Sequence, residues 1–552
     1  MKNTFTIVLI LAIAYCPLVA QTPDSTFGMP GSFVPFDGTD QPGVTGCDFG
    51  SRQDRAYSTL HLSNGKIILA GHTSGQDGTD FALVRLFSNG QYDLDAGPQG
   101  QIRIDLGYTN DSCLIAALCP DQKILMGGCT ILPGQNGYVN LIVKVDTDGQ
   151  PDLSFGNGGQ VLLDWPSAYE MVTRIILFPD GRALVAGNAF YGASIHFPDS
   201  AAFFIARLMP DGQLDGTFGE NGVLFQRFNP TCSISLLEDI GVDAEGRIIV
   251  TGGLYGSYPG EIDGIATCYL PAVPVCRYLP DGPLDPTFGE GGIVRLTNTS
   301  GWANALHIEE SGKIVLAGVH ARSPFEHYAF AARLMPDGAP DATFGENGFY
   351  ETYIYNLLSS PPGFRGILKT SAGYYLSYWN KLYSDPSPAG LVRLTENGEL
   401  DTTFGTAQSS NGMGFRLNDW LHAPVNIQHI STTDSESIFL TGTYRLSGHE
   451  SMMIAKLKLG TVVAVEAPSV QEMKVFPNPV QSRKLFLDCT GTDQTSSSTL
   501  QLFDLFGRVV FHQIITLIEG TNEVELPDIP NGTYVLEITG TNFRRMAKII
   551  VQ

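Results

Sequence analysis

The sequence is poor in the residue patterns that most enzymes use for chemistry. It contains no Gly-x-Ser-x-Gly elbow, no His-Glu-x-x-His pair, no phosphate-binding glycine loop and no Cys-x-x-Cys motif. These absences leave no sequence support for a serine hydrolase, a zinc protease, a nucleotide-binding enzyme or a dithiol oxidoreductase. No catalytic residue, metal ligand or cofactor site is therefore assigned from the sequence.

Basic residues and long apolar runs are also scarce. Lys and Arg number 33 against 56 Asp and Glu, so the net charge is −23. Such a field repels phosphate backbones, which argues against nucleic acid as a partner. Beyond residue 20 no segment approaches the roughly 18 consecutive apolar residues that cross a bilayer, so no transmembrane segment is predicted.

The first twenty residues have the three parts of a secretory signal. Lys2 is followed by an apolar run over residues 5–14 and by the small-residue end Leu18-Val19-Ala20. This pattern predicts a signal peptide over residues 1–20 that is cleaved on export. A buried N-terminal strand is one alternative. A lipid anchor on Cys16 is another, but that chemistry normally needs a small residue where Tyr15 stands.

Cysteine usage fits an exported protein. Loss of Cys16 with the signal leaves eight of the nine cysteines, and an even number permits disulfides. Cys268 and Cys276 flank a proline-containing bend in the longest insertion of the chain. We predict a disulfide between these two residues.

The 62 glycines and 33 prolines punctuate a sequence repeat. Its first block has the form Gly-x-x-Asp-x-Thr-Phe-Gly, and its aspartates recur every 56 to 70 residues. The seven copies centre on Asp24, Asp93, Asp152, Asp215, Asp285, Asp341 and Asp401. The copy at Asp93 lacks the Thr-Phe-Gly, which predicts an irregular second unit.

Two further blocks complete each unit. One is a Gly-Lys/Arg, a β-branched run, a small residue and Gly, as at residues 65–71. The other is an apolar strand with a fixed basic residue that enters an acidic-Gly turn, as around Arg85 and Arg207. Asp or Asn followed by Gly closes hairpins, and the β-branched runs are typical of buried strands. The sixth unit lacks the Lys-Ile run and is also predicted to be irregular.

About four short strands recur in each of seven units without helical periodicity. This organisation predicts an all-β fold, a seven-bladed β-propeller over residues 21–460. An open β solenoid is the alternative, although its repeats are usually much shorter, roughly 20 to 30 residues. The fixed basic residues could form a functional ring, but a structural contact repeated in every unit is the favoured interpretation.

These three blocks resemble the delta-60 repeat family of bacterial secreted and surface proteins, over residues 21–460. The resemblance implies the propeller fold and no single activity. Two shorter patterns fit the same interpretation. Asp146-Thr147-Asp148-Gly149 begins like a calcium loop but falls at an acidic-Gly turn of the repeat, and His320 and His327 are expected to be surface loop residues.

After a linker over residues 461–471 the pattern changes. Seven short strands between residues 474 and 551 predict a small immunoglobulin-like β-sandwich. Within residues 472–552, three patterns and the terminal Lys-Ile-Ile-Val resemble the type A sorting domain of the Bacteroidetes type IX secretion system. The resemblance rests on Pro477, Asn478, Pro479, Asp504, Gly507, Gly532, Tyr534 and Lys548. It implies passage across the outer membrane, with the secretion machinery as a partner.

Two functions are compatible with the sequence. The first is a secreted or cell-surface binding or structural module with an unidentified glycan or protein ligand. The second is an extracellular hydrolase or lyase that acts on glycan or peptide at the propeller face. Carboxylates converging with an Arg in an axial pocket would favour the second.

Overall fold

The computed structural model of the chain divides it into two compact units. One spans Leu18–Thr461 and the other includes Val462–Gln552. The structure describes residues 22–29, 43–51, 53–75, 78–165, 169–192, 200–228, 234–255, 273–296, 301–323, 326–352, 363–379, 389–404, 415–416, 425–446, 449–459, 471–472, 474–476, 480, 483–488, 497–503, 509–516, 521–539 and 544–551.

The described part of the chain is all-β, with no α-helix and two 3-10 turns at Leu94–Ala96 and Pro98–Gly100. Two short N-terminal strands, β1 (Thr22–Pro23) and β2 (Val44–Cys47), precede a series of antiparallel groups in which spatial order follows chain order. The first three groups are β3 (Asp54–His61), β4 (Ile67–Ser74), β5 (Thr79–Leu86), β6 (Gln101–Ile104); β7 (Thr109–Leu118), β8 (Ile124–Ile131), β9 (Val139–Val145), β10 (Gln160–Leu163); and β11 (Tyr169–Leu177), β12 (Ala183–Tyr191), β13 (Ser200–Leu208), β14 (Val223–Gln226).

Four further groups follow with the same arrangement. They are β15 (Ile234–Val242), β16 (Ile248–Tyr255), β17 (Pro274–Tyr278), β18 (Ile293–Arg295); β19 (Gly301–Ile308), β20 (Ile314–Ser323), β21 (Glu326–Leu334), β22 (Phe349–Thr352); β23 (Gly363–Thr370), β24 (Gly373–Trp379), β25 (Ala389–Leu394), β26 (Phe415–Arg416); and β27 (Val425–Ser431), β28 (Ser437–Leu446), β29 (His449–Lys458). In the last group the fourth position is taken by β2, which pairs with β29 from Val44↔Ala455 to Cys47↔Met452. The N-terminal segment thus completes the last group.

The hydrophobic core is divided among the seams between consecutive groups. Each of seven clusters combines residues of one group with residues of the next, and the cluster of Met452 and Phe439 with Ala56 and Leu69 joins the last group to the first. The first strands contact one another in the same order, from β3 and β7 through to β27 and back to β3. Middle strands such as β4 and β13 are buried almost throughout because both faces of each sheet are covered.

A β-bulge interrupts the first strand of every described group at the same position. The register with the second strand shifts by one residue there. The extra residues are Tyr57, Leu114, Thr173, Glu238, Asn304, Arg365 and Gln428. A bulge bends its strand and moves its backbone toward the partner strand.

The bulge explains the glycine that ends the second sequence block. In six of the seven groups the residue opposite the bulge is a glycine: Gly71, Gly128, Gly187, Gly252, Gly318 or Gly442. In the remaining group, which begins with β23, it is Tyr378. A Cβ on Gly187 would lie 1.9 Å from the backbone oxygen of Met171, and the other five face a carbonyl equally closely, at 1.8 to 2.0 Å. In these six groups only glycine allows the carbonyl to come this close.

We therefore expect Gly187→Ala to destabilise the repeat unit by about 1–3 kcal/mol, because the backbone must move to admit a methyl group. Gly216→Ala is the matched control in the same repeat, since a Cβ there meets nothing within 4 Å, and its effect should stay within about 0.5 kcal/mol. Denaturant midpoints followed by tryptophan fluorescence report this unit alone, because all four tryptophans precede residue 462. Equal midpoints for the two variants would contradict the role assigned to the bulge.

The C-terminal unit consists of two sheets around one core. The strands are β30 (Gln471–Glu472), β31 (Lys474–Phe476), β32 (Lys484–Asp488), β33 (Ser497–Phe503), β34 (Val509–Thr516), β35 (Thr521–Glu525), β36 (Gly532–Thr539) and β37 (Arg544–Val551). The sheet orders are β30-β37-β36-β33-β34 and β31-β32-β35. Leu485 and Leu487 of the smaller sheet pack with Leu502 and Leu536 of the larger one. All seven strands predicted here are present, and β30 is additional.

Candidate functional site

The three sequence blocks of a repeat meet at one buried carboxylate, that of the first-block aspartate. In the third group, Nε of Arg207 donates to Oδ2 of Asp215 over 2.8 Å, and Nη2 donates to Oγ1 of Thr217 over 2.9 Å. Thr217 in turn donates its hydroxyl to Oδ1 of Asp215 over 2.6 Å. The guanidinium also lies 4.9 Å from the ring centre of Phe218. We call this arrangement the clamp.

The same clamp recurs around the repeat unit. The basic partner of the aspartate lies within 3.6 Å in every described group, and in the last group Lys456 reaches back to Asp24 at 3.2 Å. The Lys or Arg of the second block approaches the same carboxylate in several groups, such as Lys66 to Asp93 at 2.7 Å and Lys313 to Asp341 at 2.9 Å. Asp93 keeps this contact although its unit lacks the Thr-Phe-Gly.

Several clamps also tie one group to the next. Nη1 of Arg207 donates to the carbonyl oxygen of Pro280 over 2.7 Å, and the amide of Gly219 donates to the carbonyl oxygen of Asp281 over 2.8 Å. Both acceptors lie in the acidic-Gly turn of the following repeat. The structural-contact interpretation of the repeated basic residues is therefore confirmed, because their charges are used within the fold.

The turn at Asp146 fits the same scheme. Oδ1 of Asp146 accepts the amides of Asp148 and Gln150 over 2.9 Å each, and Asp148 pairs with Arg85 of the preceding repeat. Asp146 therefore closes a turn of the same kind as in the other repeats. Within the described ranges no group of three or more His, Cys, Asp or Glu side chains is arranged to hold a metal ion.

The histidine prediction was wrong. His320 and His327 lie in the paired strands β20 and β21 rather than in a surface loop. His320 is buried, packs against Phe330 and Phe349, and approaches Glu351 at 2.9 Å. Burial lowers the pKa of His320 to about 4, so the ring is neutral at ordinary pH. The side chains of a strand point alternately to its two faces, and that of His320 points to a buried face. The spacing of the two histidines in the sequence does not reveal this.

The two ends of each strand group carry different types of connection. Because each group is an antiparallel meander, the clamps lie at the end where the first strand turns into the second and the third into the fourth. The opposite end carries the connections from second to third strands, which differ widely in length. Residues 324–325 suffice in the fifth group, whereas residues 256–273 connect β16 to β17. We call these the clamp end and the loop end.

A polar cluster lies among the first strands of four consecutive groups. It consists of Arg174, Glu238, Asp239, Asn304 and Arg365, three of which are bulge residues. Nε of Arg174 donates to Asp239 over 2.9 Å, and Nη1 of Arg365 donates to Oδ1 of Asn304 over 3.2 Å. We call it the central polar cluster. Residue spacing gives no sign of this cluster, because its positions recur in every repeat but the residue types at those positions differ from one repeat to the next.

The two carboxylates of the central polar cluster differ in their surroundings. Asp239 accepts three hydrogen bonds, from Arg174, from the amide of Leu306 over 2.8 Å and from the amide of Ile240 over 3.0 Å. Three of the roughly four acceptor sites of this carboxylate are thus used within the fold, which indicates a structural role. Burial raises the pKa of Glu238, although the charges of Arg174 and Arg365 oppose the increase. Glu238 is therefore the titratable group of this cluster with an unusual affinity for a proton.

Some of the predicted sorting residues lie in the part of the chain that the structure describes, and the others do not. Pro477, Asn478, Pro479, Asp504 and Gly507 lie outside the described residues. Gly532 and Tyr534 belong to β36, and Lys548 stands opposite Val535 in β37. Tyr534 is buried in the core, and its hydroxyl donates to the carbonyl oxygen of Pro530 over 2.6 Å. Tyr534 thus fixes the turn that precedes β36.

Only one of the two cysteines of the predicted disulfide lies in the described part of the chain. Cys276 is a buried thiol in β17, and burial raises its pKa to about 12. Cys268 lies outside the described residues, so the pairing stays a prediction. The other described cysteines, Cys47, Cys113, Cys119 and Cys129, are buried and unpaired.

Two family matches bear on these units. Residues 474–552 match the family described as the secretion system C-terminal sorting domain. The protein is exported by the type IX route, to the cell surface or the medium. Residues 62–94 and 179–218 match a β-propeller domain family of unknown function. Each of those segments runs from the second block through a clamp arginine to the first-block aspartate, so this match covers the clamp of the exported protein.

Solved structures that resemble the exported chain do so at low identity. No curated protein matches the exported chain significantly. The extracellular domain of a hybrid two-component system from B. thetaiotaomicron is 12% identical with a TM-score of 0.36, over 92% of this chain and 58% of that one. A protein of unknown function from Dyadobacter fermentans is 12% identical with a TM-score of 0.37, over 76% of this chain and 99% of that one.

An endo-1,4-β-xylanase from Bacteroides thetaiotaomicron is also similar, at 13% identity and a TM-score of 0.25, over 51% of this chain and 88% of that one. The exported chain spans little more than half of the first of these structures. No helix among its described residues is both long and apolar enough to cross a membrane.

Proposed function

We propose that the exported protein is a secreted or cell-surface binding module. Residues 1–20 act as its cleaved signal peptide. Residues 21–460 form a delta-60-type, seven-bladed propeller, and residues 472–552 form an immunoglobulin-like type IX sorting domain of the Bacteroidetes type. Support for the ring comes from the return contact of β27 with β3 and from the pairing of β2 with β29. Closure removes free sheet edges that would invite aggregation.

The observation that carries the binding function is the difference between the two ends of the groups. The clamp end repeats the same contacts, whereas the connections at the loop end differ in length from group to group. Repeat proteins bind through such variable connections while the repeated contacts hold the scaffold. The ligand is expected to be an extracellular glycan or a protein of the host or matrix.

A binding screen of the full chain tests this proposal. The immobilised protein is presented with extracellular glycans in one arm and with matrix proteins in the other. We expect saturable binding in at least one arm, weakened by substitutions at the loop end and unchanged by substitutions of exposed clamp-end residues. Absence of saturable binding in both arms would reject the binding function.

The central polar cluster favours a second candidate, an extracellular hydrolase or lyase. A carboxyl group with a raised pKa beside two arginines has the character of a general acid, and the site would lie where the first strands meet. Sorting residues Pro477, Asn478, Pro479, Asp504, Gly507, Gly532, Tyr534 and Lys548 serve export in either case.

Substitution of Glu238 separates the two candidates. If the full chain releases reducing sugars or new amino termini from extracellular polymers, Glu238→Gln should lower the rate about 100-fold or more, because the proton donor is lost. Glu220→Gln is the control, since Glu220 is exposed at the clamp end and should retain the full rate. A rate that is unchanged in Glu238→Gln rejects the central polar cluster as an active site.

A further inference from the structure

A cavity of about 290 Å³ opens at the loop end, at the seam between the second and third groups. Its walls come from the β8–β9 connection, from Asp164 after β10, from Tyr169 at the start of β11 and from Gly192 after β12. The side chains that line it are those of Gln135, Asn136, Tyr138, Val139, Asp164 and Tyr169. None of these residues belongs to the clamps or to the central polar cluster.

The walls of the cavity are held in place by hydrogen bonds behind them. The buried Glu170 accepts the side-chain amide of Asn140 over 2.7 Å and the backbone amide of Trp165 over 3.1 Å. Asn140 also donates to the carbonyl oxygen of Leu163 over 3.1 Å. These bonds fix both ends of the short segment that carries Asp164. The site is therefore organised before a ligand enters, which limits the entropy lost on binding.

Two of the lining residues, Tyr138 and Tyr169, meet across the seam. The backbones of Tyr138 and Tyr169 are joined by a parallel β-bridge, and their ring centres lie 5.9 Å apart with planes inclined by 52°. Burial raises the pKa of Tyr138, so its phenol stays protonated and keeps a hydrogen to donate. The rings offer apolar faces together with polar edges.

The chemistry of this lining matches a sugar ring. Aromatic faces cover the apolar C–H surface of a pyranose, while amide and carboxylate groups exchange hydrogen bonds with its hydroxyls. Gln135 and Asn136 supply both donors and acceptors, and the exposed Asp164 supplies acceptors. The acidic chain, with net charge −23, disfavours uronic acids and sulfated sugars.

A peptide fits this site less well. Extended peptides bind by adding to a free strand edge or by lying in a long groove. The strand that borders the cavity, β9, is paired on both sides by β8 and β10. A compact, two-ring cavity instead suits a single compact unit at the end or on a branch of a polymer.

We propose that this cavity binds a neutral sugar residue of an extracellular glycan. The inference rests on the proposed binding function and specifies its ligand class. The cavity selects a ring with free hydroxyls and no negative charge, and Asp164 orients that ring by accepting its hydroxyl hydrogens.

Calorimetric titration of the full chain tests the proposal with neutral trisaccharides of glucose, galactose, mannose and xylose, and with trigalacturonate as the anionic comparator. We expect at least one neutral probe to bind. Trigalacturonate should bind at least about tenfold more weakly than that probe. Tyr138→Ala and Asp164→Asn should each weaken the neutral probe about tenfold or more, as expected for central contacts of a small site. Asp164→Asn keeps the side-chain shape at an exposed position, so the fold is retained.

Phe87→Ala is the control because Phe87 is exposed at the clamp end of the first group, and it should bind as the native chain does. The inference is overturned if no neutral probe binds, or if the bound probe has the same affinity for the Tyr138 and Asp164 variants. If the sugar titration fails but the screen above finds saturable binding to a protein, the proposed binding function still holds. If both experiments find no binding, the binding function is rejected.

Discussion

Removal of residues 472–552 should leave the protein folded but trapped in the periplasm. The hydrophobic clusters of the repeat unit are built from residues between Phe27 and Leu457, and the cluster of the C-terminal unit runs from Val480 to Ile549. The repeat unit therefore keeps its whole core when the C-terminal unit is deleted. What it loses is the segment that matches the sorting-domain family.

Fractionation of a host with a type IX system provides the measurement. Full-length protein should appear at the surface or in the medium, and the truncated protein should fall there by an order of magnitude or more. Protease resistance of the periplasmic form checks that it is folded. As the reciprocal control, residues 461–552 joined to another periplasmic protein should carry that protein out. Normal surface levels of the truncated chain would show that export does not depend on this unit.

Breaking a single clamp should have the largest effect on stability. Arg277 donates to Asp285 over 2.8 Å and to Thr287 over 3.1 Å, stacks 4.6 Å from the ring centre of Phe288, and reaches the carbonyl of Pro336 in the next repeat. Arg277→Ala leaves Asp285 buried without its partner. Such a loss costs about 3–5 kcal/mol, because a charge in a poorly hydrated site has lost its compensation.

The denaturant midpoint, again followed by tryptophan fluorescence, measures this loss. Arg277→Lys should recover part of it, since Lys144 and Lys456 occupy the equivalent position in two other groups. Arg103→Ala is the matched control: Arg103 pairs with Asp80, but half of its side chain is exposed, so the expected change is about 0–1 kcal/mol. Equal losses for Arg277→Ala and Arg103→Ala would contradict the assignment.

Acid should also destabilise the repeat unit by weakening the clamps. Hydrogen bonds from Thr217 and the charge of Arg207 lower the pKa of Asp215 to about 2, against the opposing effect of burial. A carboxyl group whose folded pKa lies below its unfolded value near 3.8 stabilises the fold above that value. The contribution is lost as the pH falls from about 4 to about 2. The native chain should therefore lose more stability over this interval than a variant with Asp215→Asn.

Sequence patterns anticipated much of the fold because the same contact is made seven times. The recurring aspartate, the basic residue and the β-branched run each leave a periodic signal, and the strands lie where those runs occur. The sequence predicts only that each basic residue makes a structural contact that repeats in every unit. The structure identifies its partner as the first-block aspartate eight residues later, as for Arg207 and Asp215. The glycine that ends the second block was visible, but its cause, the carbonyl of the bulged strand, was not.

The sequence by itself determined the all-β class and the C-terminal sorting domain, because these depend on local residue patterns that recur or that match a known family. Only the tertiary structure decided which non-repeating side chains meet. Arg174, Glu238 and Arg365 come from different repeats, as do Tyr138 and Tyr169. Such residues occur once each and lie far apart in the chain, so no periodicity marks them. They come together because packing of consecutive groups brings their first strands and loop-end connections to the same places.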